Sequence, residues 1–151
     1  MGTYQLIYQS HSMVPFETPE MMELLQKARA RNQSRDITGL LLYTPDGRFL
    51  QVLEGPREAV RNLYYNHLMH DPRHYDCRVY GEGPCWERSF PHWHLGFRPA
   101  TAQDLRKLLS YVPPDGSGLL VPRPHTRAEL LALLLEFVAS CEVLPELEEH
   151  H

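Results

Sequence analysis

ITGLLLYTPDGRFLQVLEG, residues 37–55, is the stretch on which the reading of the fold turns. Two apolar runs, ITGLLLY at 37–43 and RFLQVLE at 48–54, flank TPDG at 44–47. A proline-preset turn ending in glycine joins two strand-forming runs into a hairpin. Side chains alternate along a strand, so Phe49, Gln51 and Leu53 share one face and Leu50, Val52 and Glu54 the other. Gln51 therefore places a carboxamide between a phenylalanine and a leucine. A buried glutamine is tolerated where a neighbouring backbone or hydroxyl group pairs with it. It is also what a site needs when one side chain must both donate and accept.

Outward from the hairpin, the chain continues in both directions as alternating elements. YQLIY at 4–8 alternates as a strand, with Tyr4, Leu6 and Tyr8 on one face. Thr18, Pro19 and Glu20 read as an N-cap, a first-turn proline and an early acid, so a helix begins there. Met21, Leu25, Ala28 and Asn32 fall on one face of that helix. Asn32 is thus a second polar residue aimed inward, or else the helix's C-terminal cap. Gly55-Pro56 opens a second helix with Val60, Leu63, Tyr64 and His67 on its apolar stripe, and DPRH at 71–74 ends it. CRVYGEG at 77–83 is a fourth strand. HWHLGF at 92–97 is a fifth, with Trp93, Leu95 and Phe97 on one face.

The order β-α-β-β-α-β, then one more strand, is an α+β, ferredoxin-like arrangement with both helices on one side of the sheet. In this reading strands one and three lie side by side and parallel, which makes Tyr8 and Gln51 neighbours. The rest of the chain is a helix pair, about 101–111 and 126–143, joined by the Pro- and Gly-rich 112–125. Leu130, Leu134 and Phe137 line one side of the last helix; Leu131, Leu135 and Val138 line another. One side can cover the open sheet face, and the other asks for a partner, so a homo-oligomer is expected. The division expected is a domain over 1–98 and a helical extension over 99–149.

Composition narrows the function classes. The chain has 151 residues, 42% of them hydrophobic and 23% charged, with a net charge of −4. That balance gives no electrostatic attraction to nucleic acid or to an anionic membrane surface. The most apolar segment, at 130–140, is too short to span a bilayer. MGTYQLIYQ at 1–9 lacks the basic start and long apolar run of a secretory signal, and Cys77, Cys85 and Cys141 fit no metal spacing; a reduced, cytoplasmic protein is expected. His67, His70 and His74 stand at helical spacings, but Pro72 ends the helix before His74, so no metal site is expected. No nucleophile–base pair or Gly-rich phosphate loop stands out, and an enzyme is not expected.

Tyr8 in LIYQS, Asn32 ahead of ITGLLLY, Gln51 in FLQVLEG, DPRH at 71–74, and Arg88, Phe90 and Trp93 in RSFPHWHLGF form an ordered set. The set resembles the BLUF family, sensors of blue light that use FAD, over residues 3–98; the tail resembles that of the short members without an output enzyme. The resemblance implies a flavin between the first two helices, on the sheet face carrying Tyr8 and Gln51. It implies Tyr8 as the light-active tyrosine, Gln51 as the signalling glutamine, Asn32 as a ring-binding residue and Trp93 as the strand-five tryptophan tied to output. Leu25, Phe49 and His67 are expected beside the cofactor. Signalling would pass through contacts with a downstream partner protein.

The departures are specific. Leu95 stands where the family usually has methionine, and Arg31 where a second ring-contacting Asn or His is common. Asp36 replaces a frequent Gly, and Asn66 and His67 stand where an arginine is usual. FMN or riboflavin could thus replace FAD. The competing reading is a BLUF-like interaction module that has lost flavin binding or light sensing.

Overall fold

The structure, a computed structural model, describes residues 3–109 and 126–140. Strand β1 (Thr3–Ser12) leads to helix α1 (Thr18–Ser34), and β2 (Thr38–Tyr43) and β3 (Arg48–Gly55) form the expected hairpin. Helix α2 (Arg57–Asn66) and a short 3₁₀ turn (Leu68–His70) precede β4 (His74–Cys85), β5 (Gly96–Pro99), α3 (Ala102–Leu109) and α4 (Arg127–Ser140). The strands make one sheet in the order β4-β1-β3-β2-β5.

The hairpin turn closes as its residue types require. Gly47 donates to the Thr44 carbonyl at 2.9 Å and takes φ of 89°, a conformation that costs a glycine little. The close approach is at Gly39 in β2, where a Cβ would lie 1.9 Å from the Val52 carbonyl oxygen. No residue with a side chain fits there without moving β3.

The β1–β3 pair is antiparallel, with Tyr8 directly opposite Gln51, and not parallel as the sequence reading had it. The right-handed crossover through α1 makes β2 run with β1, and the tight hairpin then turns β3 back into the gap between them. Side-chain faces depend on alternation and not on strand direction, so the Tyr8–Gln51 adjacency survives the correction.

The sheet separates two cores. On one face Leu6, Tyr8 and Leu53 pack with Val60, Leu63 and Tyr64 of α2, while Leu41, Phe49 and Phe97 pack with Met21, Leu25 and Ala28 of α1. On the other, Ile7, Leu40, Leu50 and Val52 meet Leu105 of α3 and Leu130 and Leu134 of α4. Burying each of these leucines contributes about 1.5–3 kcal/mol.

Four further expectations are corrected. Helix α1 is capped one residue earlier, where the Glu17 amide donates to the Glu20 carboxylate at 3.1 Å. Helix α2 stops at Asn66, and His67 is exposed and not on the buried stripe, because the 3₁₀ turn and Pro72 redirect the chain. Strand β5 starts at Gly96, since Trp93 is held in a turn by its carbonyl, which accepts from the Gly39 amide at 2.9 Å. In α4, Leu131 and Val138 pack against the sheet-side core with Phe137, and of the supposed outer stripe Leu135 is exposed. The groove between α3 and the sheet takes more of the helix than a single stripe. The connector at 112–125 and Cys141 lie outside the described residues.

Candidate functional site

A cleft of about 270 Å³ opens on the face carrying α1 and α2. Its floor is sheet: Tyr8 from β1, Leu41 from β2, and Phe49 and Gln51 from β3, with Leu95 ahead of β5. Helix α1 supplies one wall through Leu24, Lys27, Ala28 and Arg31. Leu68, Asp71, Arg73 and His74 supply the other. The result is an apolar slot with a few polar groups on its floor and cations near its rim, the usual build of a small-molecule site.

The polar floor is a single pair. The Tyr8 hydroxyl donates to Gln51 Oε1, and both residues are buried. Burial, with Cys77 and Tyr64 nearby, pushes the Tyr8 phenol far above its ordinary value, so it stays protonated at any pH the fold meets. Tyr64 packs its ring 4.7 Å from that of Tyr8, and burial moves its own phenol up to about 12. Gln51 thus spends its carbonyl on Tyr8 and keeps its amide N–H groups for another acceptor.

On the far wall, His74 Nε2 bonds the Leu68 carbonyl, so that nitrogen carries a proton, and Nδ1 meets Ser10 Oγ at 2.9 Å. Asp71 grips Arg73 through bonds of 2.6–3.1 Å, and Arg73 holds the Asp71 carboxyl below the usual carboxylate range. Cys77 and Cys85 are free thiols. Among the described residues no group of three or more His, Cys, Asp or Glu could hold a metal ion.

Of the residues singled out from the sequence, Tyr8, Phe49 and Gln51 meet in the cleft. Leu25 is fully buried in the core between α1 and the sheet, outside the lining. Asn32 is also fully buried, but its Nδ2 donates to the His94 carbonyl at 2.6 Å and its Oδ1 accepts from Arg31, which keep it out of the lining. His67 is exposed beyond the end of α2. Sequence reasoning passed over Leu24, Lys27 and Leu41 as lining, and marked Arg31 only as a departure at a ring-contacting position. Arg73 and His74 lay within the DPRH motif without a role.

Trp93 is on the opposite face from the cleft. It packs against the α3–α4 core, stacked on Phe90 with ring centroids 6.1 Å apart, with the Arg98 guanidinium 5.0 Å from its ring. Leu95, two residues on, takes the cleft side. Gly96 makes the Trp93 position possible, because a Cβ there would come within 2.4 Å of the indole. Gly96→Ala is therefore expected to displace Trp93, seen as a shift in its fluorescence maximum relative to the parent. An unchanged emission spectrum would contradict that placement.

The segment carrying Trp93 is tied to β3 from the far side. Glu54, fully buried, accepts from Gln5 Nε2 at 2.8 Å and from the amides of Ser89 at 2.9 Å and Phe90 at 2.8 Å. Arg127 docks the start of α4 by donating to the carbonyls of Gly83 at 2.7 Å and Pro84 at 3.0 Å. Its side chain lies flat over Gly81 and Gly83, where any Cβ would crowd it.

Comparison with known proteins finds the same assembly elsewhere. A family model described as "BLUF: Sensors of blue-light using FAD" matches residues 3–96. The beta subunit of a photoactivated adenylate cyclase from Euglena gracilis is 38% identical over 126 residues, 80% of this chain. This chain spans 14% of that relative's length. A blue light- and temperature-regulated antirepressor from Escherichia coli is 39% identical over 71 residues, 47% of this chain and 17% of the relative. Among solved structures, BlrB, a BLUF protein in its dark state, aligns with a TM-score of 0.66 and 29% identity, covering 90% of this chain and 97% of that one. The photo-activated state of BlsA shares the fold at a TM-score of 0.72 and 24% identity, covering 94% of this chain and 99% of that one.

Proposed function

The chain belongs to the BLUF family of flavin-using blue-light sensors, and from that membership we propose that it is a flavin-binding photoreceptor whose Tyr8–Gln51 pair carries the response to light. The observation that supports this most is the buried bond from Tyr8 to Gln51 on the cleft floor.

The residues present fit a flavin. Leu24, Ala28, Leu41, Phe49 and Leu95 make a flat apolar slot for a planar ring, and the Gln51 amide and Arg31 supply donors for ring carbonyl and nitrogen acceptors. Lys27 and Arg73 at the rim suit a phosphate, which favours FAD or FMN over riboflavin. The bound flavin would supply blue absorption and, when excited, a strong pull on an electron of a nearby phenol. Tyr8 is placed to give that electron, and its hydroxyl proton leaves along the bond to Gln51. Gln51 can then turn its amide, or tautomerise, and exchange what it offers to Tyr8 for what it offers across the cleft. Once the electron and proton had returned to Tyr8, a new donor from Gln51 to the ring carbonyl would redden the absorption. No covalent bond forms, so the arrangement relaxes in the dark.

The output leaves by the opposite face, where Glu54, Trp93 and α4 are packed together, and acts through contacts with another protein or a second copy of this chain. The chain itself is a sensor and not a catalyst. No described helix is long and apolar enough to cross a membrane, and the expected place of work is the cytoplasm. A second reading, an interaction module without bound flavin, draws on the inward pairing of Asn32 and the arginine at position 31. The absorption spectrum separates the two. The purified protein is expected to be yellow, to shift to the red under blue light and to recover in the dark. A colourless protein that takes up neither FAD, FMN nor riboflavin would sink the photoreceptor reading.

A further inference from the structure

Tyr8 does not stand alone behind the cleft floor. Its ring lies 4.7 Å from that of Tyr64, and the Tyr64 ring lies 4.9 Å from that of Tyr65, centroid to centroid. Three phenols thus run in an unbroken file from β1 into α2, at the spacing of aromatic rings in contact. Tyr64, the middle one, is buried and lies outside the cleft lining. The far end of the file is built differently. The Tyr65 hydroxyl donates to Glu82 Oε2 on β4. Glu82 Oε1 accepts from Tyr4 at 2.6 Å and from Arg61. Burial works to raise the Glu82 carboxyl, but the bonds from Tyr4 and Tyr65 and the charge of Arg61 outweigh it and hold the group below the usual carboxylate range. The Arg61 guanidinium also sits 4.8 Å from the centre of the Tyr65 ring. A cation there opposes positive charge on that ring, so Tyr65 gives up an electron readily only if its proton leaves as well. The carboxylate already bonded to that proton is a base in position to take it.

We propose that Tyr64 and Tyr65 form a relay that refills oxidised Tyr8, with Tyr65 as the terminal electron donor and Glu82 as the acceptor of its proton. The inference rests on the photoreceptor reading above, in which Tyr8 gives an electron to the excited flavin, and adds a second fate for that event. One electron passes from Tyr65 through Tyr64 to Tyr8. Tyr8 takes it up and regains its proton along the bond to Gln51. The O–H bond of Tyr65 breaks, and its proton forms an O–H bond with Glu82. The electron that left Tyr8 stays on the flavin, Tyr65 is left as a neutral radical, and the Glu82 charge is neutralised. Electrons, protons and charge balance without a further reactant. The oxidised site then lies two rings away from Gln51, so this branch competes with the red shift and does not produce it.

The test uses the full chain loaded with FAD under blue light, with electron paramagnetic resonance of frozen samples and, in parallel, a nitroso spin trap whose adduct is located by peptide mapping. The parent is expected to give a tyrosyl radical and an adduct on Tyr65, which is partly exposed. Tyr65→Phe and Tyr64→Phe keep their rings in place and are expected to lose that radical while the reversible red shift is retained. Glu82→Gln keeps an acceptor for the tyrosine hydroxyls but no base, and is expected to slow radical formation about a hundredfold or more, the loss that follows removal of a positioned proton acceptor. Tyr8→Phe is expected to give no Tyr65 radical, since the relay has nothing to refill. A Tyr65 radical that survives Tyr64→Phe or Tyr8→Phe, or forms at the parental rate in Glu82→Gln, overturns the inference. So does a parent that reddens under blue light with no radical on Tyr65, and that result leaves the photoreceptor reading standing. A parent protein that binds no flavin at all overturns both.

Discussion

Tyr8→Phe is expected to abolish the light-induced red shift while the protein still folds and still binds flavin. The phenylalanine ring fills the same place against Tyr64, so the apolar packing of the floor is kept. What is lost is the hydroxyl that donates to Gln51. Leaving Gln51 Oε1 without its donor costs about 1–3 kcal/mol of stability, a tolerable fraction of the ~5–15 kcal/mol typical of a domain. Absorption spectra in the dark and under blue light, with flavin content measured in parallel, give the result directly. A variant that reddens and recovers like the parent would mean that Tyr8 is not the electron and proton donor. Gln51→Leu is a useful companion, since it removes the acceptor of that bond together with the amide donors, and should bind flavin without the normal shift.

The largest effect on stability is expected at Glu54. Its carboxylate collects three donors in a fully buried place, two of them the backbone amides of Ser89 and Phe90. Glu54→Ala leaves all three unpaired and opens space beneath Phe90. A loss of about 3–5 kcal/mol follows from breaking a buried charged group away from its donors. Glu54→Gln keeps one carbonyl acceptor and should lose about half as much. Denaturant midpoints at constant m-value measure both. If the alanine variant unfolds within about 0.5 kcal/mol of the parent, the far-side clasp has no mechanical weight. Its effect should also extend to Trp93, whose segment starts from the amides Glu54 holds.

Much of this architecture was legible in the residues, and the misses share causes. The hairpin could be read because alternation and turn chemistry are local properties. Tyr8 beside Gln51 could be read because strand order and side-chain alternation suffice, even with the wrong strand direction. Helix α1 shows where local pattern stops. Met21, Leu25, Ala28 and Asn32 do mark its buried stripe. The cleft, however, is cut along the adjoining flank, at Leu24, Lys27, Ala28 and Arg31. Periodicity finds the face a helix buries and is blind to the flank that borders a cavity. Trp93 was misplaced for a related reason. The alternation of Trp93, Leu95 and Phe97 imitates a strand, while a backbone bond from Gly39 and the bare surface of Gly96 hold the first of them in a turn. Nothing in the hydrophobic pattern records a single backbone bond made across the sheet. The outer stripe of α4 was over-read because the width of the groove that receives a helix is a property of its neighbours.

Strand β3 holds Gln51 toward the cleft and Glu54 toward the α3–α4 layer, three residues apart along one extended run. An odd separation is what lets one strand serve both layers, and it imposes a rule of parity on how such a chain can vary. Inserting or deleting a single residue between positions 51 and 54 would put both side chains on one face, driving either the carboxylate into the slot or the carboxamide into the helix layer. A change of two residues would keep both orientations and alter only how far apart the two functions sit. The coupling between the cleft side and the α3–α4 side is in this sense counted and not measured: it tolerates changes of length by twos, and its failure after a change of one would be complete.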